Sequence, residues 1–309
     1  MRLFSLRGLK LKRKIVLSSF LLVTQASLCT VGLTASGIDY PTVRYVSSVG
    51  SNYIPPPIHK EYKPEYTSTA NAVYKEVKID DSKSKWVFGR TNEVIWGDRT
   101  KNEIALTFDD GFDRKSIERA LDVLRKENIK CTFFVVGEAL KDNPDLWKRA
   151  VAEGHQICNH THSHEFLAGL SDEKVRAEIS GWETDVKNVL GESYFEKMKH
   201  DFPFMRLPGG SGSKSKRILK VVSDLKYIPV SWADETVSSI LNHYNLKKVD
   251  SSVLAPKITN HVVGYTMKGS IILLHFNIYD TRTLTETIDG IKKKGYILKQ
   301  VSDIISASE

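Results

Sequence analysis

The sequence predicts an α/β protein of parallel βα units, and three observations carry that expectation. From Glu103 onward, short apolar runs of strand length alternate with stretches of helical spacing. The residues able to do chemistry fall where those runs end. With 309 residues, 41% of them hydrophobic, the chain can bury a large core. Parallel units close into a barrel or spread as an open doubly wound sheet, and in both forms ligands meet the carboxyl ends of the strands.

The expected strands are Ile104–Phe108, Thr132–Val136, Gln156–Ile157, Phe204–Leu207, Tyr227–Trp232 and Ile271–His275. The first ends in Asp109, Asp110 and Gly111; Arg206 and His275 close later ones. Ile117, Ala120, Leu121 and Leu124 share one helical face. A second helix follows Ser171, a good N-cap with Asp172 and Glu173 in the first turn, and aligns Val175, Ile179, Trp182, Val186 and Val189.

The formal charge of +8 suggests nucleic acid, but its position argues otherwise. Six of the 45 basic residues lie within the first fourteen positions, and no acid precedes Asp39. Beyond residue 37 the balance is 39 basic to 37 acidic, so no nucleic-acid surface is expected. Residues 1–37 read as an export signal: a basic start, then an uncharged stretch from Ile15 to Gly37. That stretch ends in small residues suited to cleavage and is also long enough to remain as a membrane anchor. Either outcome places the rest of the chain outside the cytoplasm. Residues 38–95, with Pro55-Pro56-Pro57 and no periodicity, read as an extended linker and lead-in, and 96–309 as the catalytic domain. Cys131 and Cys158 read as buried packing residues, because adjacent parallel strands hold them too far apart for a disulfide.

Asp109-Asp110 could divide the labour of metal-assisted hydrolysis, one acid binding a cation and its neighbour taking a proton from water. About fifty residues later, Asn159-His160-Thr161-His162-Ser163-His164 supplies histidines of the kind that complete such a site. His160 and His164, spaced i, i+4, share a face if that turn is helical. His162 could not join them and reads as a solvent or substrate-side neighbour. His155, at the start of its strand, reads as structural.

Thr107–Gly111, His160–His164, Arg206-Leu207-Pro208-Gly209 and Leu273-Leu274-His275 resemble, in order and spacing, motifs of the polysaccharide deacetylases, the carbohydrate esterases built on the NodB-homology domain. The resemblance runs from about Glu103 to Ile304. It implies a distorted (β/α) barrel and removal of N-acetyl groups from an extracellular N-acetylglucosamine polymer, foremost peptidoglycan, with a divalent metal, zinc. It makes Asp110, His160 and His164 the metal ligands, Asp109 the base, His275 the acid and Arg206 the residue orienting Asp109. It also implies that the Gly209 amide faces the oxyanion, with Leu273, Trp232 and Pro208 at the substrate. The expected partner is an acetylated glycan, together with the membrane if the signal stays uncleaved.

One motif departs from the family pattern. In Trp232-Ala233-Asp234-Glu235-Thr236-Val237-Ser238, Ser238 stands where an acid is usual, so either Asp234 or Glu235 takes over Arg206 or the arginine is unpaired. The proline of Pro208-Gly209-Gly210 also lacks its usual following aromatic. Two rival readings are a non-catalytic exported wall-binding domain and a metal-dependent amidohydrolase of small molecules. Retention of Asp109, Asp110, His160, His164 and His275 opposes the first, and the export signal opposes the second.

Overall fold

A computed structural model describes residues 86–305; the expected signal or anchor and most of the expected linker lie outside the described residues. Along the chain run β1 (Glu103–Asp110), α1 (Arg114–Lys126), β2 (Thr132–Val135), α2 (Gly137–Asp142), α3 (Pro144–Ala152) and β3 (Gln156–Asn159). Next come α4 (Asp172–Leu190), α5 (Glu192–Asp201), β4 (Phe204–Met205), α6 (Lys216–Asp224), β5 (Ile228–Pro229) and β6 (Asp234–Glu235). The chain continues through α7 (Ser251–Tyr265), β7 (Ile271–His275), α8 (Ile278–Arg282), α9 (Leu284–Lys293), β8 (Ile297–Leu298) and α10 (Val301–Ile304).

The strands are parallel and ordered β5-β4-β3-β2-β1-β7-β6, with β8 pairing the start of β1. This order separates the two architectures left open by the sequence. The edge strands, β5 and β6, are joined by only residues 230–233, a link reaching no more than about 18 Å. A flat path of seven strands would hold its edges about 28 Å apart, so the sheet must curl back on itself as a distorted (β/α) barrel.

Local chemistry explains the elements that position the site. β1 is buried from Ile104 to Asp110, a central strand covered on both faces. At α1, the Asp113 side chain accepts from Lys115 N, and Arg125 and Lys126 complement the carboxyl end of the helix. Ser171 caps α4 by accepting from Lys174 N, and the predicted face is buried. β2 stops one residue short of the expected Val136, whose N–H turns to Asp110 O. β6 was not expected; Asp234 and Glu235 pair with Ile272 and Leu273 of β7.

The lead-in packs on the domain well before β1. Trp86 is buried edge-on against Phe204 and donates to Asp201 O, while Val94 lies parallel to Val230. Val94 N donates to Pro229 O, and Ser231 N donates to Val94 O. Cys131 and Cys158 are both free and buried.

His155 is structural and acid-sensitive. Its ring stacks on Phe133 at 4.8 Å, and its Nδ1 accepts from Cys131 N. Burial pushes the imidazole down to about 4, helped by the charges of Lys130 and Arg149. The unfolded chain would take up this proton near pH ~6.5, so stability is fully present above that value and is lost as pH falls toward 4. Between pH 7.5 and 4.5, His155→Gln should remove about 2–3 kcal/mol of the pH dependence seen in urea unfolding. An unchanged dependence would assign the acid sensitivity to other groups.

Candidate metal centre and catalytic cluster

The end of β1 turns sharply to present its acids. Asp110 adopts a left-handed backbone at φ 74°, unusual for a residue with a Cβ and typical of strain held at functional sites. Gly111 follows at φ 105°, where an added Cβ would lie 2.5 Å from the Trp147 ring, so only glycine fits. Asp109 and Asp110 are both buried, which rules out a solvated Asp-Gly corner.

His160 and His164 converge without a helical turn. The loop reverses through left-handed residues at Thr161 (φ 66°) and His164 (φ 65°). Asn159 Oδ1 accepts from Thr161 N, and Thr161 Oγ1 accepts from His164 N. α4 clamps the outer side: Glu178 accepts from Ser163 N and Oγ, and its carbonyl accepts from His162 N. His162 stays partly exposed to solvent and is tied to α4. Its Nδ1 donates to Asp185 Oδ2 at 2.6 Å, and that bond raises its pKa.

Asp110, His160 and His164 bring one carboxylate oxygen and two imidazole nitrogens within 4.8 Å of one another, a group able to hold a metal ion. His164 Nε2 lies 3.4 Å and His160 Nε2 3.7 Å from Asp110 Oδ1. The tautomer of His160 suits this role. Its Nδ1–H donates to the Arg206 carbonyl at 2.9 Å, which leaves the Nε2 lone pair facing the cluster. Burial, followed by the neighbouring His164, pushes His160 down to about 3, so it stays neutral and available as a ligand. Two imidazole nitrogens and a carboxylate oxygen are donors that fit a divalent cation.

Asp109 and His275 are partners in the β1–β7 register, which places them on neighbouring strands on the same face. Arg206 Nη1 donates to Asp109 Oδ1 at 2.7 Å, while Asp109 Oδ2 lies 3.5 Å from His160 Nε2. Burial raises the Asp109 pKa despite the opposing pull of Arg206 and His275. His275 is raised to about 9: burial opposes the charge, and the carboxylates of Asp280, Asp110 and Asp109 outweigh it.

Neither acid expected to hold Arg206 reaches it. His261 Nε2 donates to Asp234 at 2.9 Å, and Glu235 folds back to accept from the N–H and hydroxyl of Ser238. Arg206 is held instead by Thr107 Oγ1 (2.8 Å), Val230 O (3.2 Å) and Ser231 O (3.0 Å), with Phe134 under the guanidinium at 4.0 Å. The second acid in its field is Glu93, from the lead-in. Burial pushes Glu93 up to about 7, against the charge of Arg206 and a hydrogen bond from Ser231. Glu93 carries no mark in the sequence beyond its place beside the apolar Val94-Ile95 step.

Asp280 was also missed. It is buried at the start of α8, accepts from His275 N at 2.8 Å and lies 3.8 Å from His275 Nδ1, an ion-pair separation longer than a hydrogen bond. A hint was available in Asn277, which caps α8 three residues earlier. Asp280→Asn removes a charge favouring imidazolium, so the His275 pKa should fall. An activity that needs imidazolium would then be lost at lower pH, with the alkaline limb of kcat/KM moving down by about one unit. A limb that stays in place would show that Asp280 does not set His275.

The remaining expected residues lie on or next to elements that carry this cluster. Leu273 is buried on β7, and Pro208 is buried at the start of a 3₁₀ turn containing Gly209 at φ 55°. Trp232 is half-buried, its ring 5.7 Å from the Arg206 guanidinium.

The profile of the polysaccharide deacetylase family matches residues 97–230. A peptidoglycan-N-acetylglucosamine deacetylase of Bacillus cereus is 32% identical, over 70% of this chain and 94% of that protein. The peptidoglycan-N-acetylmuramic acid deacetylase PdaA of Bacillus subtilis is 31% identical over 69% of this chain and 75% of its own. The PdaA structure, a family 4 carbohydrate esterase, aligns at TM-score 0.60 and 28% identity, covering 71% of this chain and 87% of that one. A CE4 family pseudoenzyme from Bacillus anthracis aligns at TM-score 0.58 and 20% identity over 70% of this chain and 69% of that one, a likeness of fold alone. Since these similarities extend over most of the relatives' length as well as the barrel described above, the chain belongs to the polysaccharide deacetylase family.

Proposed function

We propose that this protein is a metal-dependent deacetylase that removes N-acetyl groups from peptidoglycan outside the cytoplasm. The observation that carries the reading is the convergence of Asp110, His160 and His164 beside the in-register pair Asp109 and His275. The peptidoglycan deacetylases among its relatives supply the substrate class. The basic, acid-free start of the chain supports export.

In this mechanism Asp110, His160 and His164 hold the cation, zinc by the character of the donors. When bound, the cation supplies a Lewis acid for the amide carbonyl and for water. Asp109 takes the water's proton. Arg206 fixes Asp109 Oδ1 and leaves Oδ2 on the cluster side, while burial keeps the carboxyl basic enough to accept. The Gly209 amide meets charge developing on the carbonyl oxygen, a contribution worth about 3–4 kcal/mol for a well-placed donor. His275 carries its proton at neutral pH and delivers it to the departing amine. Leu273 forms a wall for the acetyl methyl group.

Acetate release should be compared on intact peptidoglycan, chitooligosaccharides and acetylated xylan. We expect peptidoglycan to give the highest kcat/KM. A preference for xylan or chitin would move the substrate assignment while keeping the chemistry.

A further inference from the structure

The turn after Arg206 has no side chains on its crest. Gly209 and Gly210 both take left-handed backbone, at φ 55° and 66°. An aromatic stands on each side. A Cβ on Gly209 would lie 3.0 Å from the edge of Phe166, and one on Gly210 would lie 3.4 Å from the Trp232 ring. Phe166 is 48% exposed, and its ring centre is 6.2 Å from that of His164.

A single exposed phenylalanine is ordinary on a protein surface. Phe166 differs in its setting: it follows His164 by two residues, leans on a bare glycine turn and keeps much of its surface open beside the metal-ligand candidates. Met267 and Ile297, also exposed, lie just before or within β7 and β8 at their amino ends, away from this chemistry.

We propose that Phe166 and Trp232, on either side of the Gly209–Gly210 turn, form a stacking subsite for a pyranose ring of the glycan strand. The ligand chemistry matches the walls. A pyranose presents C–H groups on its faces and hydroxyls at its rim, so an aromatic wall covers the apolar face and leaves the rim to solvent. Within the turn Gly210 N donates to Leu207 O and Gly210 O accepts from Ser213 N, so the turn offers the ring a surface free of side chains and the aromatics supply the recognition. Phe166 thereby supplies the aromatic missing from the position after Pro208. This assignment rests on the deacetylase reading for the identity of the glycan.

The test is binding of a soluble tetrasaccharide of alternating N-acetylglucosamine and N-acetylmuramic acid to the full chain, measured calorimetrically, alongside acetate release. Phe166→Ala should weaken binding and raise KM by about ten-fold while kcat changes little, because a stacking contact serves substrate and transition state alike. Phe166→Trp should bind as the wild type does. Folding is a minor concern at so exposed a position, and the Trp variant controls for it. Unchanged affinity in Phe166→Ala, or no binding by the wild type, overturns the subsite. Binding that weakens as expected in a chain that releases no acetate from any polymer overturns the deacetylase reading and leaves the subsite standing.

Discussion

His160→Ala is expected to yield a folded chain that no longer retains a divalent cation and has lost acetate release. Two of the three donors remain, but the geometry that brings all three within 4.8 Å depends on the ring held by the Arg206 carbonyl. His160 is fully buried, so the substitution leaves a small cavity and an unpaired carbonyl, costing about 1–3 kcal/mol of stability. His164→Ala serves as a second test because its side chain is about one-third exposed and its loss should hardly affect folding. Metal analysis after dialysis checks both variants. Occupancy equal to that of the wild type would show that the ligands lie elsewhere.

Asp109→Asn should separate chemistry from metal binding. Asparagine can still accept from Arg206 through its oxygen, and Asp110, His160 and His164 are untouched, so the cation should be retained. The variant has no carboxylate to take a proton. Its kcat should fall by roughly 10²–10⁴-fold with KM little changed. Turnover near the wild-type rate would remove Asp109 from the role of base.

The sequence made the strand-end chemistry legible for a physical reason. In parallel βα proteins ligands meet the carboxyl ends, so acids and histidines terminating apolar runs mark one face of the sheet. The β7 prediction, Ile271–His275, matches the structure residue for residue, and α4 forms behind its Ser171 cap. Side-chain partners resisted prediction because they are set by tertiary contacts. Nothing near Asp234 in the chain signals that His261, on α7, takes its carboxylate, and Glu235 is drawn away by the local N–H of Ser238. Glu93 approaches Arg206 only because Val94 docks beside Val230 at the barrel edge. The loop from His160 to His164 shows the same limit. Spacing brought the right two histidines forward, but the backbone reaches that arrangement through left-handed residues held by α4.

Acetate release from peptidoglycan, followed while metal-stripped full-length chain is titrated with zinc, tests the central claim most directly. The account predicts negligible release without metal and a rate that rises to a plateau near about one equivalent per chain, as one three-ligand site requires. Release undiminished by stripping the metal, or none at any zinc level, would contradict it.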